Sequence, residues 1–168
     1  YAPWLTANLA LREPLLIRPG APPAWDNVRY GTTALGYVDA RHQSLDPTPR
    51  PPLLTAYFAL PVAQRGELLK QPWQHWARVV TDELAQTHPD LPAKLERIDL
   101  CRFGHAMSIP TPGLRGSAAL AALNDARGRV VFAHADLAGY SVFEEAYTAG
   151  VEAAAVDTEQ GQPVLGGT

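Results

Sequence analysis

Proline sets the limits on what this chain can become. Sixteen of its 168 residues are proline, against a usual share of about 5%, and they fall in clusters at Pro19, Pro22 and Pro23, at Pro47, Pro49, Pro51 and Pro52, and at Pro110 and Pro112. Proline has no backbone N–H to donate and its ring obstructs the preceding helical turn, so neither a helix interior nor a central strand runs through such a cluster. The chain is therefore cut into short extended pieces with two helices between them. No internal repeat is visible.

The extended pieces are Leu5 to Leu11, Val28 to Tyr30, Leu35 to Ala40 and Leu53 to Leu60. Their β-branched and aromatic residues, bounded by Gly, Asp and Pro, predict an antiparallel meander. After Pro72, Trp73, Trp76, Ala77, Val80 and Leu84 recur at the spacing of one helical face, with Gln74, Arg78 and Asp82 turned outward. Pro72 suits a first turn and His88-Pro89 supplies a stop. Ile98 to Ile109 reads as another strand. Leu114 to Leu123 reads as a short helix and Arg129 to Ala133 as a short buried strand. Tyr140 to Asp157 reads as a helix whose small-residue face, Val142, Ala146, Ala149, Gly150 and Ala153, allows close packing. Gly150 costs about 1 kcal/mol relative to Ala in a helix interior, which suggests that another backbone comes near it.

Composition narrows the class. With 46% hydrophobic and 18% charged residues, the chain can build a core of ordinary domain size. Fourteen Lys+Arg against 17 Asp+Glu leave a net charge of −3, which opposes a nucleic-acid binder, whose footprint is a basic patch. No apolar run approaches the roughly 18 residues of a membrane span, and Tyr1-Ala2-Pro3-Trp4 has neither a basic n-region nor twin arginines. The single Cys101 excludes an internal disulfide and is expected to be a buried thiol. A cytoplasmic protein fits, with the periplasm open if a leader precedes Tyr1. Because the chain begins on a tyrosine inside an apolar run, it is expected to be part of something longer.

The densest chemical signal lies near the C-terminus. Ser141-Val142-Phe143-Glu144 has the capping-box pattern, in which Ser141 accepts from the third helical amide and Glu144 reaches back. A strand, a Gly-containing loop and then a helix would aim free N–H groups and the positive end of the helix dipole at an anionic or electron-rich ligand.

Gly128-Arg129-Val130-Val131-Phe132-Ala133-His134-Ala135-Asp136, followed by Gly139-Tyr140-Ser141-Val142-Phe143-Glu144-Glu145-Ala146 and Gly150, resembles the C-terminal flavin-binding segment of the flavin-containing amine oxidoreductases. In that family a G-R-[IV]-x-F-A-G strand precedes a helix opening G-x-x-E-G-A-x-x-x-G. Tyr1 to Leu9, the Ala24-Trp25-Asp26-Asn27-Val28 turn, Pro72-Trp73 and Arg102-Phe103-Gly104-His105-Ala106 are similar to the bacterial branch of FAD-dependent oxidoreductases that includes spermidine dehydrogenase. The resemblance covers nearly all of these residues but only the C-terminal part of a family chain.

That resemblance implies roles. The N–H groups of Val142 and Phe143, with Ser141 at the cap, would meet the flavin's pyrimidine edge, and Asp136 would be the acidic contact to the ribityl or phosphate region. Two departures stand out. His134-Ala135 replaces the family's Gly-Glu, and no G-x-G-x-x-G, the motif that holds a dinucleotide pyrophosphate, occurs in the chain. A missing N-terminal half, in the same or another chain, would have to supply most of an FAD site. Lys70 and Lys94 do not correspond to the lysine that many amine oxidases place near flavin N5.

Substrate-side candidates are Trp4, Tyr37 and His105, since an aromatic wall suits an apolar or cationic amine. Core packing and a structural histidine explain the same residues without a substrate. His134 and Asp136 could begin a metal site but have no third ligand at useful spacing, so none is expected. There is no G-x-S-x-G elbow.

The expectation is thus an α+β chain. A mixed or antiparallel substrate-domain sheet and helix occupy 1–113, a strand-loop-helix completing a Rossmann-like FAD domain occupies 114–158, and 159–168 form a flexible tail. Its function would be oxidation of an amine-like small molecule by hydride transfer to flavin. The alternatives are a non-catalytic split-enzyme subunit or interaction module, and a small anion-binding domain using the Ser141 helix end.

Overall fold

The computed structural model describes residues 1–17, 19–20, 22–43, 45, 50–125 and 130–160. The chain is α+β and divides into two compact units, Tyr1–Ala106 and Met107–Thr168. No helix among the described residues is long and apolar enough to cross a membrane.

The first unit is built on a five-stranded antiparallel sheet. Strands β1 (Ala2–Leu11), β2 (Asp26–Asn27), β3 (Gly36–Asp39), β4 (Leu53–Ala59) and β5 (Leu95–Met107, its last residue beyond the unit boundary) lie in the order β2-β3-β4-β1-β5. Between β4 and β5 run α1 (Arg65–Lys70), α2 (Trp73–Ala85) and α3 (Leu91–Lys94). The predicted meander holds for the pieces that become β3 and β4; the strand paired ahead of them, β2, lies at Asp26–Asn27, just before the piece expected to be extended. However, β1 is inserted beside β4, from Trp4 opposite Ala59 to Ala10 opposite Leu53. That pairing places the longest early strand inside the sheet, between β4 and β5, where both of its edges find partners.

Alternation along β1 sorts the two faces of the sheet. Leu5, Ala7, Leu9 and Leu11 are fully buried, while the residues between them are half-buried. The buried face meets Leu54, Ala56 and Phe58 of β4, and Trp76, Ala77, Val80 and Leu84 of α2. Those four α2 residues are the face anticipated by helical spacing, and Gln74, Arg78 and Asp82 are exposed as expected. Trp73 differs: in the first turn, just after Pro72, it is half-exposed. The Trp76 indole N–H donates to the Leu68 carbonyl at 3.2 Å, fastening α2 to α1.

Gly36 is required where β3 meets β2. Its φ is +149°, and a Cβ there would come within 2.3 Å of the Asn27 carbonyl oxygen. The stretch Val28 to Tyr30, expected to be extended, follows β2 outside any strand, with the Val28 and Tyr30 side chains exposed.

The second unit contains α4 (Ala118–Asn124), a 3-10 turn at Ala135–Ala138 and α5 (Phe143–Gln160). Ser117 caps α4 by accepting from the Leu120 N–H at 3.3 Å. Three expectations fail here. Residues 130–133 form no strand, and Val130 and Phe132 are exposed, so the buried strand proposed for 129–133 is absent from its described part, 130–133. The small-residue face of α5 is not closely packed, since a Cβ on Gly150 would meet nothing within 4 Å. Helix α5 also starts at Phe143, which makes Val142 rather than Ser141 the residue before the first turn. Of the expected tail, 161–168 lie outside the described residues.

Candidate functional site

Four residues assigned to the cofactor side, Asp136, Ser141, Val142 and Phe143, come together around the start of α5. The 3-10 turn begins with His134, whose Nδ1 accepts from the Asp136 N–H at 3.1 Å. It ends at Gly139, which takes a φ of +80°, a left-handed value that disfavours side chains. A Cβ at Gly139 would lie 2.8 Å from Arg115 Cγ, because the Arg115 guanidinium crosses over the neighbouring Tyr140 ring at 5.1 Å. The turn therefore delivers Ser141 to the mouth of α5.

Ser141 does not cap the helix. Its Oγ accepts from the Ser108 N–H at 3.0 Å, shares a hydrogen bond with the Ser108 hydroxyl at 3.0 Å, and donates to Asp136 Oδ1 at 3.3 Å. The capping-box reading fails because Ser141 finds three partners outside the helix. Glu144 does not reach back; the neighbouring Glu145 instead accepts from Tyr140 Oη at 2.7 Å. That contact is the main reason the Tyr140 hydroxyl is held above its ordinary pKa.

The consequence is a helix whose first amides are not used internally. An α-helix leaves its first four N–H groups without intrahelical acceptors, and among the described residues neither the Val142 nor the Phe143 N–H has a partner. Both side chains are exposed, Phe143 at 76%. Phe143, Tyr147 and Val151 continue as an exposed apolar row at i, i+4 and i+8. A hollow of about 230 Å³ lies alongside, between α5 and the 3-10 turn, lined in part by Asn124, Phe132, His134 and Glu145.

The substrate-side candidates, all in the first unit, do not form one wall. Trp4 points to the open face of the sheet, opposite the buried Leu5 and Leu9. On β5, Ile98 is buried in the core and Leu100 packs against it, while Arg102 donates to the Leu68 and Gln71 carbonyls. Alternation therefore sends Cys101, Phe103 and His105 to the open face beside Trp4. The His105 ring meets Tyr1 edge-on at 6.4 Å between centroids. Cys101 is exposed rather than buried, because it occupies the uncovered side of an edge strand.

Tyr37 lies on the other face. Its partner in β4 is Ala56, fully buried, and its Oη is 2.6 Å from His88 Nε2. It cannot share a pocket with Trp4 across the sheet. The open face has polar groups that spacing did not single out. Thr55 Oγ1 donates to Asn8 Oδ1 at 2.8 Å, and Tyr57 Oη donates to Asp26 Oδ1 at 2.7 Å. Burial first, and then the hydrogen bond to Asp26, push the Tyr57 hydroxyl up to about 12. These partners are far apart in sequence, so only the strand register reveals them.

His134 Nδ1 and Asp136 Oδ2 are 3.5 Å apart. No group of three or more His, Cys, Asp or Glu side chains that could hold a metal ion exists among the described residues. Lys94 is occupied structurally, 3.0 Å from Asp90 and bonded to the Pro14 carbonyl at 2.6 Å. Comparison with protein-family models, curated proteins and solved structures gives no match.

Proposed function

We propose that this chain is the C-terminal part of an FAD-dependent oxidoreductase of the amine oxidase type. The observation that carries this reading is the start of α5, where the Asp136–Ser141–Ser108 hydrogen-bond cluster holds the loop and the Val142 and Phe143 amides have no acceptor among the described residues. Flavin, when bound, supplies the chemistry by accepting a hydride at N5 from the carbon next to an amine nitrogen. The donor set fits the pyrimidine edge of that ring. Two N–H groups and the positive helix end stabilise the negative charge that builds there on reduction.

This chain's residues do not fit the rest of the cofactor. With no G-x-G-x-x-G in the sequence, the pyrophosphate needs a Rossmann-like half from elsewhere, and the exposed Phe143–Tyr147–Val151 row supports such a covering partner. Trp4, Phe103 and His105 on the open sheet face provide an aromatic surface suited to an amine-like substrate by cation–π contact.

The test is to produce the whole open reading frame that contains Tyr1 to Thr168 and to look for the yellow flavin absorption and its bleaching by added amines under anaerobic conditions. Phe143→Pro removes one amide at a helix position that tolerates proline. It is expected to weaken FAD binding about twofold to tenfold, the loss of one hydrogen bond to an uncharged acceptor on the oxidised ring, while leaving α5 folded. A colourless protein that neither binds added FAD nor oxidises amines overturns the reading.

A further inference from the structure

The sheet ends on two very unequal strands. At one edge β2 is two residues long; at the other β5 runs for 13 residues, with only β1 beside it. A long edge strand presents a row of unpaired backbone groups to any strand that can reach it, and natural sheets blunt such edges by shortness, by proline or by charge. Shortness protects β2. Although the chain carries sixteen prolines, none lies between Ala93 and Ile109, so β5 keeps every N–H along its outer side.

Which residues face outward follows from the bonds at the two ends of β5. The Arg12 N–H donates to the Lys94 carbonyl at 2.9 Å, and Arg65 donates both to the Gly104 carbonyl at 2.8 Å and to the Tyr1 carbonyl at 2.6 Å. Both contacts turn even-numbered carbonyls toward β1. Successive residues of a strand direct their backbone groups to opposite edges, so the odd-numbered residues point theirs outward. Among the described residues, the backbone groups of Arg97, Asp99 and Cys101 meet no partner on that side. The Arg97 and Asp99 side chains are 73% and 51% exposed, with Nε and Oδ2 2.9 Å apart. At such exposure an ion pair within one strand contributes little to stability.

Charge selects the occupant of this edge. A run of one sign would repel a second copy of the strand, but Arg97 and Asp99 are opposite in sign and two residues apart. An antiparallel copy related by a two-fold axis at Ile98 therefore sets Arg97 of each chain opposite Asp99 of the other. Sliding the pairing by two residues either way sets Arg97 against Arg97 or Asp99 against Asp99, and like charges directly opposite are destabilising.

We propose that β5 pairs with β5 of a second copy of this chain, antiparallel about Ile98, so that two sheets become one. The contact is isologous, as closed dimers require, and its paired stretch, residues 95–101, lies wholly in the first unit. Arg97 and Asp99 of each chain exchange backbone N–H···O bonds with Asp99 and Arg97 of the other. The proposal does not rest on the flavin reading, whose amides and covering partner concern the second unit.

Sedimentation of the full chain is expected to show a dimer. Arg97→Asp and Asp99→Arg each turn both facing pairs into like charges, and each should raise the dimer dissociation constant about tenfold or more. Mixed in equal amounts, the two variants should restore the dimer, because every contact between positions 97 and 99 is again between opposite charges. Mixing cannot repair the loss of an ion pair within one chain. In the native chain, amide hydrogen exchange at Arg97 and Asp99 should slow as concentration rises, since their N–H groups are the ones that become bonded. The proposal is overturned if the native chain sediments as a monomer, if either reversal leaves the dimer intact, if mixing restores nothing, or if the slowing falls outside residues 95–101.

Discussion

At the scale of single residues, hydrogen bonds between distant parts of the chain decide more than local motif does. Tyr57 is the clearest case. Its hydroxyl is raised to about 12 by burial and by Asp26, from an ordinary value of about 10. The folded state therefore holds this proton more tightly than the unfolded state. Its contribution to stability is complete below pH about 10 and is lost as pH rises through about 12. Urea unfolding of the native protein and of Tyr57→Phe should show a stability gap that is constant up to pH about 10 and narrows above it; a gap that does not narrow above pH about 10 would refute the raised Tyr57 value. Asp90 runs the opposite way. Burial alone would raise its carboxyl, but bonds from the Leu16 N–H and Lys94 outweigh it and hold it below 3.8. That contribution is present at neutral pH and lost as pH falls through the lowered value. Ser141 shows the limit of motif reading: the S-x-x-E pattern is intact in sequence, yet Ser108 and Asp136 claim the hydroxyl.

At the scale of elements, α2 was legible because Trp76, Ala77, Val80 and Leu84 form a 3.6-residue pattern whose buried face needs no knowledge of its partner. Helix α5 was legible in extent but not in packing. None of residues 143–155 is buried, and Gly150 stands in open space. Gly150→Ala should therefore stabilise α5 by up to about 1 kcal/mol, measurable as a raised thermal midpoint of the helical circular-dichroism signal. A destabilising effect would mean that something approaches this helix closely. Gly139→Ala should act in the opposite sense, costing about 1 kcal/mol or more, because both its φ of +80° and the nearby Arg115 side chain resist a Cβ. The strand expected at 129–133 was misread because a short apolar run bounded by turn signals also suits an exposed segment, and only a pairing partner tells them apart.

At the scale of the whole molecule, apolar burial is uneven. The large buried side chains all belong to Tyr1–Ala106, whereas among the described residues from Met107 onward only Ala135 and Gly139 are buried. Residues 1–106 expressed alone should unfold cooperatively, and in that fragment Phe58→Ala should cost about 3–5 kcal/mol. Residues 107–168 alone should give a weak, non-cooperative helical signal, since short helices without a packed face are marginal in water. A cooperative transition for the second fragment would contradict this. By itself the sequence determined what local chemistry can specify: where prolines end elements, which face of α2 is apolar, and that the chain is α+β. The tertiary structure alone decided that β1 sits between β4 and β5, that Trp4 and Tyr37 occupy opposite faces, and that Ser141 serves Asp136 and Ser108. The reason is physical. A strand's partner, and therefore the side to which each of its residues turns, is chosen by contacts many residues away, which no local pattern records.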